Sequence, residues 1–198
     1  MRKINVFFIM AFFSALTCAG CADTTPIYYS TSFNKAQAER LMRPGRNKII
    51  INSFTTHSDG DITTCADVTS DLIPATEMAA EFMKINFGSE AGGQAVAMDA
   101  YRVTERIANP NPDFGRFWAR AKCNSDGFAV FEGVADGSFY VTAGAGGYSY
   151  AQKVTVKGGE TKKVVLSGSA RSHSKGFNYE RWHKNERRRE WEANNRKQ

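Results

Sequence analysis

The second half of the chain repeats a turn signal at intervals of about ten residues. Each signal is a dipeptide that contains glycine: Asp126-Gly127, Asp136-Gly137, Gly146-Gly147 and Gly158-Gly159. Between these turns, apolar residues alternate with smaller or polar ones, as in Phe128/Val130, Phe139/Val141 and Val154/Val156. A period of two places one side of a strand in a core and the other in water. The pattern predicts an antiparallel β-sandwich or barrel with these Phe and Val side chains in its core.

Strand signals begin with the run Ile49-Ile50-Ile51, which precedes a turn at Asp59-Gly60. Ahead of that run, residues Asn34 to Met42 predict a short helix. Ser32 or Asn34 would cap this helix, and Pro44-Gly45 would stop it.

The middle of the chain is less regular. Residues Met78 to Phe87 fit a helix or a strand equally well. The next stretch, from Gly88 to Phe114, is rich in Gly, Asn and Pro and predicts a loop-rich excursion. Long loops are unusual in a small β domain, and loops often carry function. This stretch is therefore a candidate functional region.

The chain opens with Met1-Arg2-Lys3, continues with an apolar run from Ile4 to Leu16, and then reaches Ala19-Gly20-Cys21. A basic start, an apolar segment and small residues at a cleavage point form the layout of a secretory signal peptide. The apolar run is much shorter than the roughly 20 residues that cross a bilayer. Residues 1–20 are therefore predicted to be a signal peptide that is removed on export.

Ala19-Gly20-Cys21 resembles the lipobox of bacterial lipoproteins, in which signal peptidase II cleaves before a cysteine that carries diacylglycerol. The lipobox usually has an aliphatic residue where this chain has Cys18. The resemblance implies a lipid anchor on Cys21 and a place in the cell envelope, and Ala22 as the next residue implies the outer membrane. The alternative is ordinary cleavage near Ala19 or Ala22, which would release a periplasmic or secreted protein.

Cys65 and Cys123 are the cysteines that remain once Cys18 is removed and Cys21 is acylated. In an oxidising compartment two thiols most simply form one disulfide, and we expect that bond here. The alternative is two separate buried thiols. No histidine lies near either cysteine in sequence, and two ligands are too few for a zinc site. We therefore expect no metal and no cofactor.

The net charge of +6 is concentrated at the C-terminal end. Residues 171–198 hold nine Lys and Arg against four Glu, whereas residues 22–170 hold fifteen Lys and Arg against sixteen Asp and Glu. A function in nucleic-acid binding would therefore depend on the tail alone. Because an exported protein rarely meets nucleic acid, we expect no nucleic-acid partner.

Segments Thr64–Val68 with Asp71–Thr76, Cys123–Ala143 and Lys153–Leu166 resemble bacterial carboxypeptidase regulatory-like domains. The resemblance covers residues 47–169 and implies a transthyretin-like (prealbumin-like), immunoglobulin-type β-sandwich of about seven antiparallel strands. A Cys65–Cys123 bond would close a loop of nearly sixty residues, worth about 3 to 4 kcal/mol by chain entropy. Scaffolding, adhesion and ligand binding all use this fold, so it does not identify a function.

No catalytic constellation is found in the body of the chain. Hydroxyisourate hydrolases and intradiol dioxygenases, which resemble this sandwich class, need several histidines, and the body holds only His57, in a polar loop. The body also lacks the His-x-x-Glu zinc motif of metallocarboxypeptidases. Asp67, Asp71 and Glu77 are interpreted as surface charges, with a calcium site at a sandwich edge as the alternative. We therefore expect a protein that is not an enzyme.

The C-terminal tail combines basic and aromatic residues. Glu180/Lys184 and Glu192/Arg196 are spaced to support a helix from about Asn178 to Ala193. Trp191 points almost opposite Trp182, so the helix lacks the single apolar stripe of a membrane-surface helix. The alternatives are a solvated helix, contact with an anionic envelope surface, or a docking arm for a protein partner. The docking residues would be Tyr179, Trp182, Arg187, Arg188, Arg189 and Trp191.

The sequence thus divides into a signal peptide (1–20), a tether with a short helix (21–46), the sandwich (47–169) and the tail (170–198). The first hypothesis is an envelope lipoprotein that serves as a structural or protein-interaction module. The second is a module that binds glycan or peptidoglycan fragments through Tyr148, Tyr150, Trp118 or the Gly88 to Phe114 stretch. Exposed aromatic rings on one sheet face would favour the second hypothesis, and their burial would favour the first.

Overall fold

Two β-sheets form the framework of residues 25–170, the part of the chain that this computed structural model describes. Within these residues the strands are β1 (Asn47–Thr56), β2 (Ile62–Thr64), β3 (Thr69–Pro74), β4 (Gly92–Val96), β5 (Ala119–Lys122), β6 (Phe128–Val134), β7 (Gly137–Ala145), β8 (Tyr148–Val156) and β9 (Thr161–Ser169). The helices are α1 (Lys35–Leu41), α2 (Glu77–Phe87) and α3 (Ala97–Glu105), with a 3-10 turn at Phe114–Phe117. In residues 25–170, no helix has both the length and the apolar character needed to span a membrane.

The first sheet is built around β1. Strands β6 and β2 pair in antiparallel fashion with successive parts of one edge of β1. Strand β9 runs parallel to β1 along its other edge, from Lys48↔Thr161 to Thr56↔Ser169. The second sheet is antiparallel throughout, in the order β4-β8-β7-β3-β5.

The β-sandwich predicted from the turn spacing is confirmed, with two differences. Residues 25–170 contain nine strands rather than about seven, and the pairing of β1 with β9 is parallel. Side chains alternate with a period of two in parallel and antiparallel strands alike, so the sequence pattern does not distinguish the two pairings.

Side chains from the inner faces of both sheets fill the space between them. Ile49 and Ile51 of β1 are fully buried in one cluster with Phe139 and Val141 of β7. Val154, Val156, Val164 and Leu166 belong to the same cluster. Of these residues, Phe139, Val141, Val154 and Val156 are the ones that alternation placed in a core.

The prediction that Phe128 and Val130 are core residues is wrong. Each is 40% exposed on the outer face of the first sheet, whereas Ala129 and Phe131 point inward. Both faces of β6 carry apolar side chains, so alternation alone leaves its orientation open. Pairing with β1 fixes the register, because Ile49↔Phe131 and Ile51↔Ala129 are neighbours on the buried face.

A second apolar core covers the opposite face of the five-stranded sheet. Ala79 and Met83 of α2 are fully buried there against Ile73 of β3 and Tyr140 of β7. Along β7, Phe139 and Val141 therefore face one core while Tyr140 faces the other. Residues 25–170 thus form three layers, namely a four-stranded sheet, a five-stranded sheet and a helical layer.

Local signals set the ends of α1 and α2. The side chain of Asn34 caps α1 by accepting a hydrogen bond from the backbone N–H of Gln37, which confirms the predicted helix and selects Asn34 over Ser32 as its cap. Thr76 caps α2 through the N–H of Ala79, and α2 ends at Gly88, whose φ of 78° suits glycine. The ambiguous segment Met78 to Phe87 is thus helical.

The stretch from Gly88 to Phe114 is not the loop-rich excursion that its composition predicts, because it contains β4 and α3. Gly92 has a φ of 97°, and a Cβ atom there would lie 2.3 Å from the carbonyl oxygen of Ala151 on β8. Glycine at this position thus allows β4 to pair closely with β8, and it does not indicate a loop.

Cys65 and Cys123 form the predicted disulfide, across 58 residues of chain. Cys65 follows β2 of the first sheet and Cys123 follows β5 of the second sheet. The bond therefore ties the two sheets together. It is compatible with an extracytoplasmic location.

Replacement of both cysteines by alanine should lower the free energy of unfolding by about 3 to 4 kcal/mol, because the unfolded chain regains the entropy of the open loop. Urea denaturation of the oxidised wild type and of Cys65→Ala/Cys123→Ala measures the difference. A reductant should destabilise the wild type by a similar amount and leave the variant unchanged. Equal stability of the two oxidised proteins would contradict the prediction.

Candidate functional site

The helical layer covers the outer face of the five-stranded sheet incompletely. Beside the area under α2, a cleft of about 440 Å³ opens between the sheet, α2, α3 and the ring of Trp118. Strands β3, β7 and β8 form its floor, and the two helices form its wall. We call this space the α3 cleft.

Strand register places three polar side chains in a row on the floor side of the cleft. Asp71 of β3 is paired with Arg120 of β5 and with Thr142 of β7. The Asp71 carboxylate lies 3.4 Å from Nε of Arg120 and accepts a hydrogen bond of 3.4 Å from the hydroxyl of Thr142. Asp71 is the one carboxylate that lines the cleft among the described residues.

Burial raises the pKa of Asp71, and the neighbouring Arg120 and Thr142 offset part of that rise. The interpretation of Asp71 as an ordinary surface charge is therefore wrong, because the side chain is only 24% exposed and faces a cleft. Asp67, in contrast, is an exposed charge that pairs with Lys122 at 2.8 Å. Glu77 is exposed in the first turn of α2.

One face of α3 forms part of the wall. Ala97, Ala100, Tyr101 and Thr104 follow the i, i+3, i+4, i+7 spacing of a single helix face, and all four line the cleft. The two alanines are small, which leaves the space open. Tyr101 is 58% exposed, and its hydroxyl donates a hydrogen bond to Glu105, which raises the pKa of Tyr101.

Trp118 joins the cleft to an aromatic cluster. Its ring packs edge-on against Phe114 and Phe82, with ring centres 5.3 Å and 5.6 Å away. Phe33 and Tyr29, which lie near the start of the described residues, also pack against Phe114. The indole N–H of Trp118 is buried and has no acceptor among residues 25–170, so Trp118 presents ring carbon to the cleft.

The two aromatic residues from β8 in the glycan hypothesis lie elsewhere. Tyr148 and Tyr150 are each 2% exposed between the two sheets, and the Tyr150 hydroxyl bonds to Thr55. The prediction that they contact a glycan is therefore wrong, and by the criterion given above the burial of these two rings favours the first hypothesis. Their alternation in β8 is the same for a core face and a binding face, so the sequence could not separate the two. Trp118, the third candidate, lines the cleft.

The remaining candidates divide between surface positions and undescribed ones. His57 is a loop residue whose ring nitrogen lies 2.8 Å from the Thr63 hydroxyl. Within residues 25–170, no three His, Cys, Asp or Glu side chains converge as metal ligands. Cys21 and the tail residues lie outside the described residues: Tyr179, Trp182, Arg187, Arg188, Arg189 and Trp191.

Residues 25–33, which we call the N-terminal strap, pack on the helical layer. Ile27 forms a parallel bridge with Ile107, and Arg106 donates two side-chain hydrogen bonds to the carbonyl of Thr25, at 2.7 and 3.0 Å. Asn109 bonds both backbone groups of Tyr29. From Thr25 onward the chain is therefore attached to the body near the C-terminal end of α3.

Glu81 of α2 holds the next part of the strap. Its two carboxylate oxygens accept four hydrogen bonds, from the backbone N–H and the hydroxyl of both Ser30 and Thr31, at 2.7 to 3.0 Å. Burial alone would raise the pKa of Glu81, but these four bonds outweigh it and hold the pKa below its usual value. The ionised form of Glu81 is therefore the one that fastens the strap.

Glu81→Gln should loosen the strap and destabilise the protein by about 1 kcal/mol, because charge-assisted hydrogen bonds become neutral ones. Since the folded pKa is lowered, this stabilisation is present above 4.5, the ordinary pKa, and is lost as the pH falls through the folded value. Hydrogen exchange of the Ser30 and Thr31 amides measures the effect. Glu39→Gln, at an exposed position on α1, is the matched control. Equal protection in both variants would refute the role of Glu81.

Comparisons with known proteins identify the fold. No family model matches the sequence, and no curated protein matches it. The solved structures include a Pseudomonas aeruginosa protein whose proposed function is carbohydrate binding, at a TM-score of 0.53 and 17% identity. The match covers 70% of this chain and 99% of that one.

Two streptococcal pilus proteins are more distant. The minor pilin GBS52 of Streptococcus agalactiae has a TM-score of 0.32 at 16% identity over 61% of this chain and 49% of its own. The pilus 2b backbone protein of group B streptococcus has a TM-score of 0.31 at 12% identity, over 65% and 43%. The Pseudomonas aeruginosa protein, at a TM-score of 0.53, establishes similarity of fold. The relationship to carboxypeptidase regulatory-like domains stays a prediction.

Proposed function

We propose that this protein is a non-enzymatic cell-envelope lipoprotein whose β-sandwich binds carbohydrate in the α3 cleft. The observation that carries the proposal is the meeting of Tyr101, Trp118 and Asp71 around one cleft on the outer face of a sheet. Aromatic rings offer flat apolar surfaces to the carbon faces of sugars, and a carboxylate accepts hydrogen bonds from sugar hydroxyl groups.

The size and chemistry of the cleft support binding. Its volume of about 440 Å³ lies within the range of small-ligand clefts, roughly 300 to 1,000 Å³. Glycoside hydrolysis uses a pair of carboxylates, whereas Asp71 is the one that lines the cleft in residues 25–170. The cleft therefore suits binding better than cleavage. The carbohydrate binding proposed for the Pseudomonas aeruginosa protein of similar fold agrees with this choice.

Tyr101→Ala should weaken the binding of a glycan by about tenfold, because the ring is an exposed stacking surface whose loss removes roughly 1.4 kcal/mol. A glycan array probed with the purified mature protein identifies the ligand, and titration calorimetry measures its affinity. Tyr28→Ala is the control, since Tyr28 is 63% exposed and does not line the cleft. Equal affinities of the two variants would place the binding site elsewhere.

Asp71 should make this binding sensitive to pH. The ionised carboxylate accepts hydrogen bonds more strongly than the protonated acid, and burial raises the pKa of Asp71 from its ordinary value. As the pH is lowered, the affinity should therefore begin to fall at a higher pH than it would if Asp71 had the pKa of an ordinary aspartate. The same titrations at a series of pH values test this, and Asp71→Asn should bind more weakly at neutral pH and lose the pH dependence.

The lipid anchor is proposed from the lipobox resemblance at Cys21. Cys21→Ser should shift the protein from the detergent-extracted membrane fraction to the soluble fraction and remove the acyl chains from its intact mass. Cys18→Leu is the matched control, because it supplies the aliphatic residue that a lipobox usually has and should keep the anchor. An unacylated wild type would overturn the lipoprotein proposal and leave the cleft proposal standing. The docking role of the tail stays a prediction.

A further inference from the structure

We propose that the α3 cleft selects an N-acetylated amino sugar over sugars whose ring carries only hydroxyl or ammonium groups. The inference rests on the carbohydrate function proposed above and names the class of ligand. It follows from the chemistry of the lining. The lining combines a carbon surface with one carboxylate on the floor of the cleft.

The carbon surface consists of Phe82 and Phe87 from α2, Ala100 from α3 and Ile73 from the sheet. None of these side chains has a hydrogen-bonding group. A sugar hydroxyl placed against them would lose its hydrogen bonds to water and gain none in return. The ligand group that lies on this surface must therefore be apolar.

The polar side chains of the helical wall do not change this conclusion. The Asn86 amide donates to the carbonyl of Phe82 at 2.9 Å. The Thr104 hydroxyl bonds to the carbonyl of Ala100 at 2.9 Å and to Oδ1 of Asn86 at 3.3 Å. The single hydroxyl proton of Thr104 is thus engaged within the wall, and Asn86 is only 3% exposed, so neither side chain offers a ready donor to a sugar hydroxyl.

Asp71 provides the polar contact on the floor of the cleft. Its contacts to Arg120 and Thr142 are both long, at 3.4 Å. An ionised carboxylate has about four lone-pair positions, so Asp71 retains capacity for another donor. It therefore offers an acceptor to an N–H group of the ligand.

An acetamido group meets both requirements at once. Its N–H can donate to Asp71 while its methyl group lies on the carbon surface. An ammonium group in the same place would donate to Asp71 but leave the carbon surface without a partner. A hydroxyl group would form a weaker hydrogen bond to Asp71 and would also leave the carbon surface without a partner. The cleft thus distinguishes ligands by the substituent at carbon 2 of the sugar.

Matched monosaccharides test the inference with the full mature protein. N-acetylglucosamine, glucosamine and glucose differ only at carbon 2, and the galactose series repeats the comparison with the other configuration at carbon 4. Titration followed by protein NMR gives each affinity. We expect the acetamido sugar to bind about tenfold more tightly than its two counterparts in at least one series.

The outcomes separate this inference from the proposed function. If a hydroxyl or ammonium sugar binds as tightly as its acetamido counterpart, the inference is wrong and carbohydrate binding stands. If none of the six sugars and no glycan on an array binds, both are wrong. If only other glycans bind, the inference alone falls.

A variant of the wall gives a second test. Ala100→Leu adds carbon where the acetamido methyl group is placed and should remove the preference for the acetamido sugar. Met98→Leu is the control on the same helix, because Met98 is 58% exposed and does not line the cleft. Thermal melting checks that both variants fold. A folded Ala100→Leu protein that keeps the preference would overturn the inference.

Discussion

The five-stranded sheet carries buried apolar side chains on both of its faces, and the rest of the structure depends on that constraint. Its central strand β7 directs Phe139 and Val141 to one side and Tyr140 to the other, and all three are fully buried. A strand with two apolar faces needs a packing layer on each side. The four-stranded sheet supplies one layer, and α2 with the N-terminal strap supplies the other.

The candidate site exists where this second layer is incomplete. The part of the outer sheet face that α2 leaves open carries polar side chains, including Asp71 and Thr142, so it does not require an apolar cover. Ala97 and Ala100 are too small to close the gap between α3 and the sheet. The strap is fastened by Glu81 and Arg106 on the helical layer, and neither residue lines the cleft. The cleft is therefore bordered by elements that are themselves well anchored.

Part of the fold could be predicted because its signals are local. Turn dipeptides marked the strands β6 to β9, Asn34 marked the start of α1, and cysteine number marked the Cys65–Cys123 bond. The segment from Gly88 to Phe114 was misjudged for a physical reason. Helix α3 follows Val96, whose side chain gives no capping hydrogen bond, so the usual start signal is missing. The face of Ala97, Ala100, Tyr101 and Thr104 was the available clue.

By itself, the sequence determined the β-sandwich class, the disulfide and the candidate export signal, because each depends on residue type and spacing along the chain. The tertiary structure alone decided which apolar face is a core. It buried Tyr148 and Tyr150 between the sheets and exposed Phe128 and Val130, although all four follow the same alternation. It also brought Asp71, Tyr101 and Trp118 from three separate segments to one cleft. Alternation states that a strand has two faces, and only the packing of the layers decides what each face meets.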